Sequence, residues 1–137
     1  MSHPFHHAFA VKDLASTRAF YGELLGCPEG RSTDTWVDFD FFGNQISAHL
    51  GTPAPPSAVG QVEGVEVPIP HTGALLGWEE FRALASRLER SGVRFLIPPR
   101  IRYQGRPEEQ ATMFFLDPCG NALEFKAFAD PSRLFAK

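Results

Sequence analysis

The sequence predicts an α+β domain built from two tandem modules, each with one helix on a small sheet. Three observations support this prediction: a strand-like segment leads into an amphipathic helix twice, each half ends in a hairpin with a Gly-Asn turn, and a Pro- and Gly-rich stretch divides the chain. We expect a single domain over residues 1–137, with a first module at 5–50, a linker at 51–64, a second module at 65–128 and a C-terminal tail at 129–137.

The first module is predicted to contain one helix and three strands. Asp13 is a suitable N-cap, apolar residues recur at helical spacing from Leu14, and Gly26 stands where a helix C-cap glycine belongs. Strict alternation of apolar and polar residues is typical of a half-buried strand. The strands are predicted at 5–11, 35–42 and 45–50, with a turn at Gly43-Asn44.

The second module repeats this order with a longer loop. A helix is predicted over 78–90, with Gly92 just past its end. The strands are predicted at 65–76, 93–97, 112–116 and 122–128. Between its opening strand and its Gly-Asn turn this half carries 12 additional residues, and the segment 98–109 has that length and a loop-like composition.

Composition and charge restrict the classes of partner. Hydrophobic residues make up 43% and charged residues 21% of the 137 residues, which is typical of a folded globular chain. A formal net charge of -3 argues against nucleic-acid or anionic-membrane binding and favours a small-molecule partner. The two cysteines and the lack of an apolar run approaching ~20 residues favour a reducing cytoplasm, without a signal peptide or membrane span.

Side-chain parity on the strands selects candidate ligands. His6 shares a strand face with Ala8 and Ala10, whereas His7 shares the other face with the larger Phe9. Large apolar side chains belong against the helix and small ones leave room for a ligand. We therefore expect His6 to face a cavity.

Two further candidates lie at corresponding positions of the modules. His71 precedes the second helix as His6 precedes the first, and Glu124 lies on the closing strand opposite its apolar face. Two imidazoles and one carboxylate suit Fe(II) or Mn(II) with open positions for substrate. His49 is a candidate fourth ligand, and four ligands would suit Zn(II) or Ni(II). The alternative is that these are ordinary hydrogen-bonded side chains, with Glu124 paired to Lys126.

The predicted loop of the second module is basic. Guanidinium groups there could clamp a substrate carboxylate or phenolate, or could form a solvated surface that balances neighbouring acidic residues. The candidate substrate-binding residues are Arg100, Arg102 and Tyr103, with Arg106 nearby.

Three segments resemble the vicinal oxygen chelate superfamily, which contains glyoxalase I, extradiol dioxygenases and bleomycin-resistance proteins. These segments are HHAFAVKDLASTRAFYGELLG, PHTGALLGWEEF and, most specifically, FFLDPCGNALEFK. The resemblance implies two βαβββ modules that form a cup-shaped half-barrel mixed sheet with helices outside and a metal inside. By position, His6, His71 and Glu124 match the dioxygenase-type triad, whereas His49 lies two residues beyond the position that corresponds to Glu124.

We expect from this resemblance a metal-dependent enzyme, with ring cleavage of the extradiol type as the leading hypothesis. A substrate with adjacent oxygens would chelate the metal. The alternatives are a glyoxalase-like lyase or isomerase, in which the catalytic carboxylate of Glu124 moves a proton, and a non-catalytic small-molecule-binding protein. Because a half-barrel sheet leaves strand edges exposed, a homodimer is expected.

Overall fold

A computed structural model describes residues 3–137, which divide into two compact units. The first unit runs to Pro55 and also includes Asp117–Asn121, and the second contains Pro56–Leu116 and Ala122–Lys137. The fold is α+β, and each unit has the βαβββ order that the sequence predicts. Within the described residues, the helices are too short and too polar to span a bilayer.

The first unit is a four-stranded sheet with a helical segment. The strand order is β1-β4-β3-β2, with β1 parallel to β4 and the other pairs antiparallel. Its elements are β1 (His6–Val11), α1 (Leu14–Thr17), a π-helical segment (Arg18–Leu24), β2 (Glu29–Ser32), β3 (Trp36–Phe41) and β4 (Asn44–Leu50).

The helix of the first unit begins as an α-helix and widens into a π-helix. The Asp13 carboxylate caps it by accepting from the backbone N–H groups of Ala15 and Ser16. The buried residues Thr17, Tyr21 and Leu25 recur every fourth position, a longer repeat than the 3.6 residues of an α-helix. The wider turn therefore keeps one face against the sheet.

The second unit has a three-stranded sheet, a preceding hairpin and one long helix. Its elements are the hairpin strands β5 (Ala58–Val62) and β6 (Val65–Ile69), α2 (Trp78–Ser91), β7 (Phe95–Arg102), β8 (Gln110–Leu116) and β9 (Ala122–Phe128). The sheet order is β7-β8-β9. Residues 72–76 run parallel to β9, with Thr72 opposite Leu123 and Leu75 opposite Lys126. This segment takes the place that β1 occupies beside β4 in the first unit.

Strand β9 of the second unit has one buried and one partly buried face. On the buried face lie Leu123, Phe125 and Ala127, while α2 buries Phe81 and Leu88. On the opposite face the alternate positions of β9 are only partly buried and carry the polar side chains. Strand parity thus separates the apolar core from the surface on which chemistry can occur.

Several predicted boundaries differ from the structure. The predicted linker 51–64 contains β5, which pairs with β6, so the long strand predicted at 65–76 is interrupted after Ile69. Residues 98–102 of the predicted loop continue β7, and the tail holds a short 3-10 turn at Pro131–Arg133. Glu29–Ser32 forms a strand without any apolar alternation. The unpredicted strand segments form because they pair with the strand that follows them, which outweighs their local composition.

A buried carboxylate organises the turn between β8 and β9. Asp117 is 5% exposed and accepts from the Tyr21 hydroxyl at 2.8 Å. It also accepts from the backbone N–H groups of Cys119 and Asn121 and from the Asn121 amide, which in turn donates to the carbonyl of Ala10. These bonds lie within the first unit and fix the turn there.

Replacement of Tyr21 by Phe tests this network. Burial, followed by the nearby Asp117 carboxylate, raises the pKa of Tyr21 well above its ordinary value of 10.0. We expect Tyr21→Phe to lower the free energy of unfolding at pH 7 by about 1–3 kcal/mol, because a carboxylate oxygen loses a buried donor. The wild-type advantage is full below pH 10 and declines above it, since the unfolded phenol then ionises while the folded one does not.

Urea unfolding of both proteins at pH 7 and at alkaline pH measures the difference. Tyr103→Phe is the matched control, because this second tyrosine is 39% exposed. Equal stabilities of the two variants at pH 7 would contradict the role assigned to the buried phenol.

Candidate metal centre

The second unit brings two predicted ligands together. His71 Nε2 lies 3.3 Å from Glu124 Oε1, and the two side chains are 27% and 10% exposed. His71 immediately precedes the 72–76 segment, and Glu124 lies on the neighbouring β9. Parallel pairing of these two segments therefore places both side chains side by side.

The hydrogen bond at the other ring nitrogen defines what His71 presents to Glu124. His71 Nδ1 lies 2.7 Å from the carbonyl oxygen of Pro68, which can only accept, so Nδ1 carries the hydrogen. Nε2 therefore faces a carboxylate oxygen, with a lone pair when the ring is neutral and with an N–H group when the ring is protonated. Two acceptors at this distance require a cation between or beside them, either a proton or a metal ion.

The second oxygen of the Glu124 carboxylate, Oε2, contacts side chains of the neighbouring sheet positions. Thr112, which is fully buried on β8, donates its hydroxyl to Glu124 Oε2 at 2.9 Å, and Lys126 Nζ lies 3.8 Å from the same oxygen. The edge of the His71 ring meets the buried ring of Phe114 at a centroid distance of 5.0 Å. Oε1 is therefore left facing His71, while Oε2 is occupied.

Glycine at position 73 permits this close pairing. A Cβ atom on Gly73 would lie 1.4 Å from the carbonyl oxygen of Glu124, so no side chain fits without movement of the backbone. The surrounding hydrogen bonds join Thr72 to both Ala122 and Glu124. Residue 73 therefore limits how closely the segment 72–76 approaches β9.

The first unit holds His6 at the start of β1, where it is exposed. His6 Nδ1 lies 2.7 Å from Gln45 Oε1, so this ring also presents Nε2 away from its hydrogen bond. His7 lies on the opposite face and stacks on Phe9 at 5.8 Å, as side-chain parity predicts. A cavity of about 420 Å³ adjoins Gln45 on the polar face of β3 and β4.

Strand register separates His49 from His6. His6 is opposite Gln45 and Ala10 is opposite His49, so the two histidines lie four residues apart along the strands. That spacing is roughly 13 Å between the backbone positions of the two residues. The ring of His49 lies 6.2 Å from that of Trp36, and its role as a fourth ligand stays a prediction.

The four candidate ligands are thus divided between the units. His71 and Glu124 form a pair in the second unit, and His6 and His49 belong to the first. Within residues 3–137, no three His, Cys, Asp or Glu side chains form a ready metal-binding group. The sequence-based ligand set stays a prediction, as do the metal and the homodimer.

The basic residues predicted for substrate binding form a cluster on β7. Glu63 bridges two of them, with Arg100 Nη2 at 2.8 Å and Arg102 Nε at 3.0 Å. Arg102 also donates to the hydroxyl of Tyr103. The buried Nε of Arg100 has no hydrogen-bond partner within residues 3–137. Arg106, by contrast, pairs with the nearby Glu108 at 3.1 Å, as a solvated loop residue would.

Sequence reasoning missed the residues that orient the ligands. Thr112 was predicted only as part of a strand, and neither the Pro68 carbonyl nor the Gln45 amide was considered as a partner of histidine. Only the parity of 112–116 against 122–128 contained a signal, because it places Thr112 and Glu124 on the same sheet face. Glu63 lay within the predicted linker.

Comparison with known proteins identifies the family. The sequence profile of the Glyoxalase/Bleomycin resistance protein/Dioxygenase superfamily matches residues 3–125. The chain belongs to this superfamily. Among curated proteins, none shows detectable similarity to the chain.

Several solved structures share the fold of this chain. A glyoxalase/bleomycin resistance protein/dioxygenase from Alicyclobacillus acidocaldarius is 29% identical with a TM-score of 0.78, covering 98% of this chain and 97% of its own. The fosfomycin resistance protein FosX from Listeria monocytogenes is 24% identical with a TM-score of 0.73, and the alignment covers 98% and 99%. An integron cassette protein from the mobile metagenome of V. cholerae is 23% identical with a TM-score of 0.63, covering 94% and 97%.

Substitution of Gly73 by Ala tests the close approach of residues 72–76 to β9. Because the new methyl group would overlap the Glu124 carbonyl, we expect a loss of about 3 kcal/mol in the free energy of unfolding. Urea unfolding measures this loss. Gly77→Ala is the matched control, since a Cβ there meets nothing within 4 Å. Equal behaviour of the two variants would show that the approach is not tight.

Proposed function

We propose that this superfamily member is a metal-dependent enzyme that acts on a small substrate with two adjacent oxygens. The single observation that carries this proposal is the approach of an imidazole nitrogen, His71 Nε2, to a carboxylate oxygen, Glu124 Oε1, at 3.3 Å. The hydrogen bond between His71 Nδ1 and the Pro68 carbonyl fixes the ring, an arrangement that is typical of metal-bound histidines.

The donor set fits a divalent ion. Imidazole nitrogen and carboxylate oxygen are ligands that Fe(II), Mn(II), Zn(II) and Ni(II) share. The hydrogen bond that His71 donates to the Pro68 carbonyl and the one that Thr112 donates to Glu124 are of the kind that orient metal ligands. We propose His6 as the third ligand, because its Nε2 is presented in the same tautomer. Two histidines and one carboxylate favour Fe(II) or Mn(II).

The side chains of this site would divide the work of the reaction. When bound, the ion supplies Lewis-acid or redox chemistry to a chelated substrate. Thr112 keeps the Glu124 carboxylate in one orientation. The ring of Phe114 packs nearly perpendicular to the His71 ring and limits its rotation. Ring cleavage of the extradiol type is the leading form of the reaction, and it requires dioxygen as co-substrate.

A second candidate is a lyase or isomerase that acts on an anionic substrate. Arg100, Thr112 and Lys126 lie opposite one another on β7, β8 and β9, in a row adjacent to Glu124. The buried Nε of Arg100 leaves a donor available within the described residues, and this donor would suit a carboxylate, phenolate or phosphonate. Glu124 would then also take up the proton released from the substrate. The similarity to FosX is compatible with such a substrate.

Substitutions at Glu124 and Thr112 test the metal site. We expect Glu124→Gln to abolish Mn(II) binding, and Thr112→Val to weaken it by about 10- to 100-fold through loss of the orienting hydroxyl. Isothermal titration with Mn(II) measures both. Glu66→Gln, which changes an exposed carboxylate on β6, is the control and should bind like the wild type. Wild-type affinity in Glu124→Gln would contradict the proposed centre.

Oxygen uptake separates the two candidate reactions. With Fe(II) and a catechol, an extradiol-type enzyme consumes one dioxygen per ring cleaved, and a coloured ring-opened product appears. We expect uptake that His71→Ala eliminates. Absence of uptake over a panel of catechols, together with binding of fosfomycin or inorganic phosphate that Arg100→Gln weakens at least 10-fold, would instead favour the anionic substrate.

A further inference from the structure

A short chain of hydrogen bonds leads away from His6 into the first unit. His6 Nδ1 meets Gln45 Oε1 at 2.7 Å, and Gln45 Nε2 donates to Asp38 Oδ2 at 3.3 Å. Ser47 donates its hydroxyl to the other carboxylate oxygen, Asp38 Oδ1. The three elements are adjacent strands in register, with His6 opposite Gln45 and Asp38 opposite Ser47.

Asp38 is the buried end of this chain. It is 8% exposed and Ser47 is 5% exposed, whereas Gln45 and His6 lie at the surface. A buried carboxylate is costly unless donors surround it, and both donors here are neutral groups. Asp40, two residues further along the same face, is exposed, and within residues 3–137 its side chain accepts from the backbone N–H of Gly43 alone. The two carboxylates are therefore alike in charge and differ in what they contact.

The carboxylate of Asp38 selects the orientation of the Gln45 amide. An ionised carboxylate only accepts, so it must face the NH₂ end of the amide, and the amide oxygen must then point at His6. A rotated amide would place its oxygen against Asp38 and its NH₂ against the ring, which would require an acceptor at Nδ1. The hydrogen of the neutral His6 ring is thus confined to Nδ1, and the lone pair to Nε2.

We propose that Asp38 is a positioning residue for His6, acting through Gln45 to hold the imidazole in the Nδ1–H tautomer with Nε2 available to a metal ion. The tautomer follows from the first unit alone, and only its consequence for metal affinity rests on the proposed function. His71 reaches the same tautomer through the Pro68 carbonyl. The two histidines thus present the same atom by different devices.

The tautomer of His6 can be read directly in metal-free protein. Long-range ¹H–¹⁵N correlation spectra of ¹⁵N-labelled protein, at a pH where the imidazole is neutral, distinguish a protonated Nδ1 from a protonated Nε2. The His6 signals are assigned with His6→Ala. We expect a single Nδ1–H species in the wild type and a mixture in Asp38→Asn, because an asparagine amide can match either orientation of Gln45. Mn(II) affinity should fall by about 10- to 100-fold in parallel.

Two further variants make the test specific. Asp40→Asn removes the same charge from the same strand and should leave the His6 tautomer and the Mn(II) affinity unchanged. Gln45→Ala interrupts the hydrogen bonds between His6 and Asp38 at an exposed residue. It should therefore give a mixture of His6 tautomers even if Asp38→Asn fails to fold. An unaltered Nδ1–H species in Gln45→Ala, or an equal change in Asp40→Asn, would overturn the proposal. A changed tautomer with unchanged Mn(II) affinity would support it and contradict His6 as a ligand instead.

Discussion

The buried carboxylate of Asp117 is the constraint on which the candidate site depends. A charge placed among apolar side chains is tolerated only when its lone pairs are filled, and here a phenol, two backbone N–H groups and an amide fill them. The result is a turn with one geometry. Strand β9 begins directly after Asn121, and the alternation of its side chains together with its register on β8 places Glu124 on the polar face.

The two units apply one arrangement to different residues. In each, a histidine begins the segment that runs parallel to the strand after a Gly-Asn turn. Alignment of these turns matches Gln45 to Ala122 and Ser47 to Glu124. The second unit therefore supplies its carboxylate directly beside His71, whereas the first supplies an amide beside His6 and keeps its carboxylate, Asp38, behind it. The arrangement of the backbone is repeated in the two units, whereas the side chain beside the histidine differs: a carboxylate lies beside His71 and an amide beside His6.

Local sequence signals predicted what local physics determines. The cap at Asp13, the helix 78–90, the alternation of β3 and β9 and the opposite faces of His6 and His7 all follow from periodicity, and the structure has each of them. The strand Glu29–Ser32 and the hairpin strand inside the predicted linker gave no such signal, because they exist through pairing with the strand that follows each of them. The partners of the candidate ligands were out of reach for the same reason. Glu63 meets Arg100 and Arg102, and Thr112 meets Glu124, only after the sheet has formed.

The tautomers of the two histidines bear on whether the protein binds or reacts. A histidine that serves only as a hydrogen-bonding group for a ligand can use either nitrogen, and no device is needed to select one. Here a backbone carbonyl fixes His71, and an amide held by a buried carboxylate fixes His6. In both, Nδ1 is engaged in a hydrogen bond, and Nε2 is the nitrogen that a neutral ring would offer to a metal ion. Burial of Asp38 has a cost in free energy that a simple polar surface would not need, and orientation of a ligand gives that cost a function.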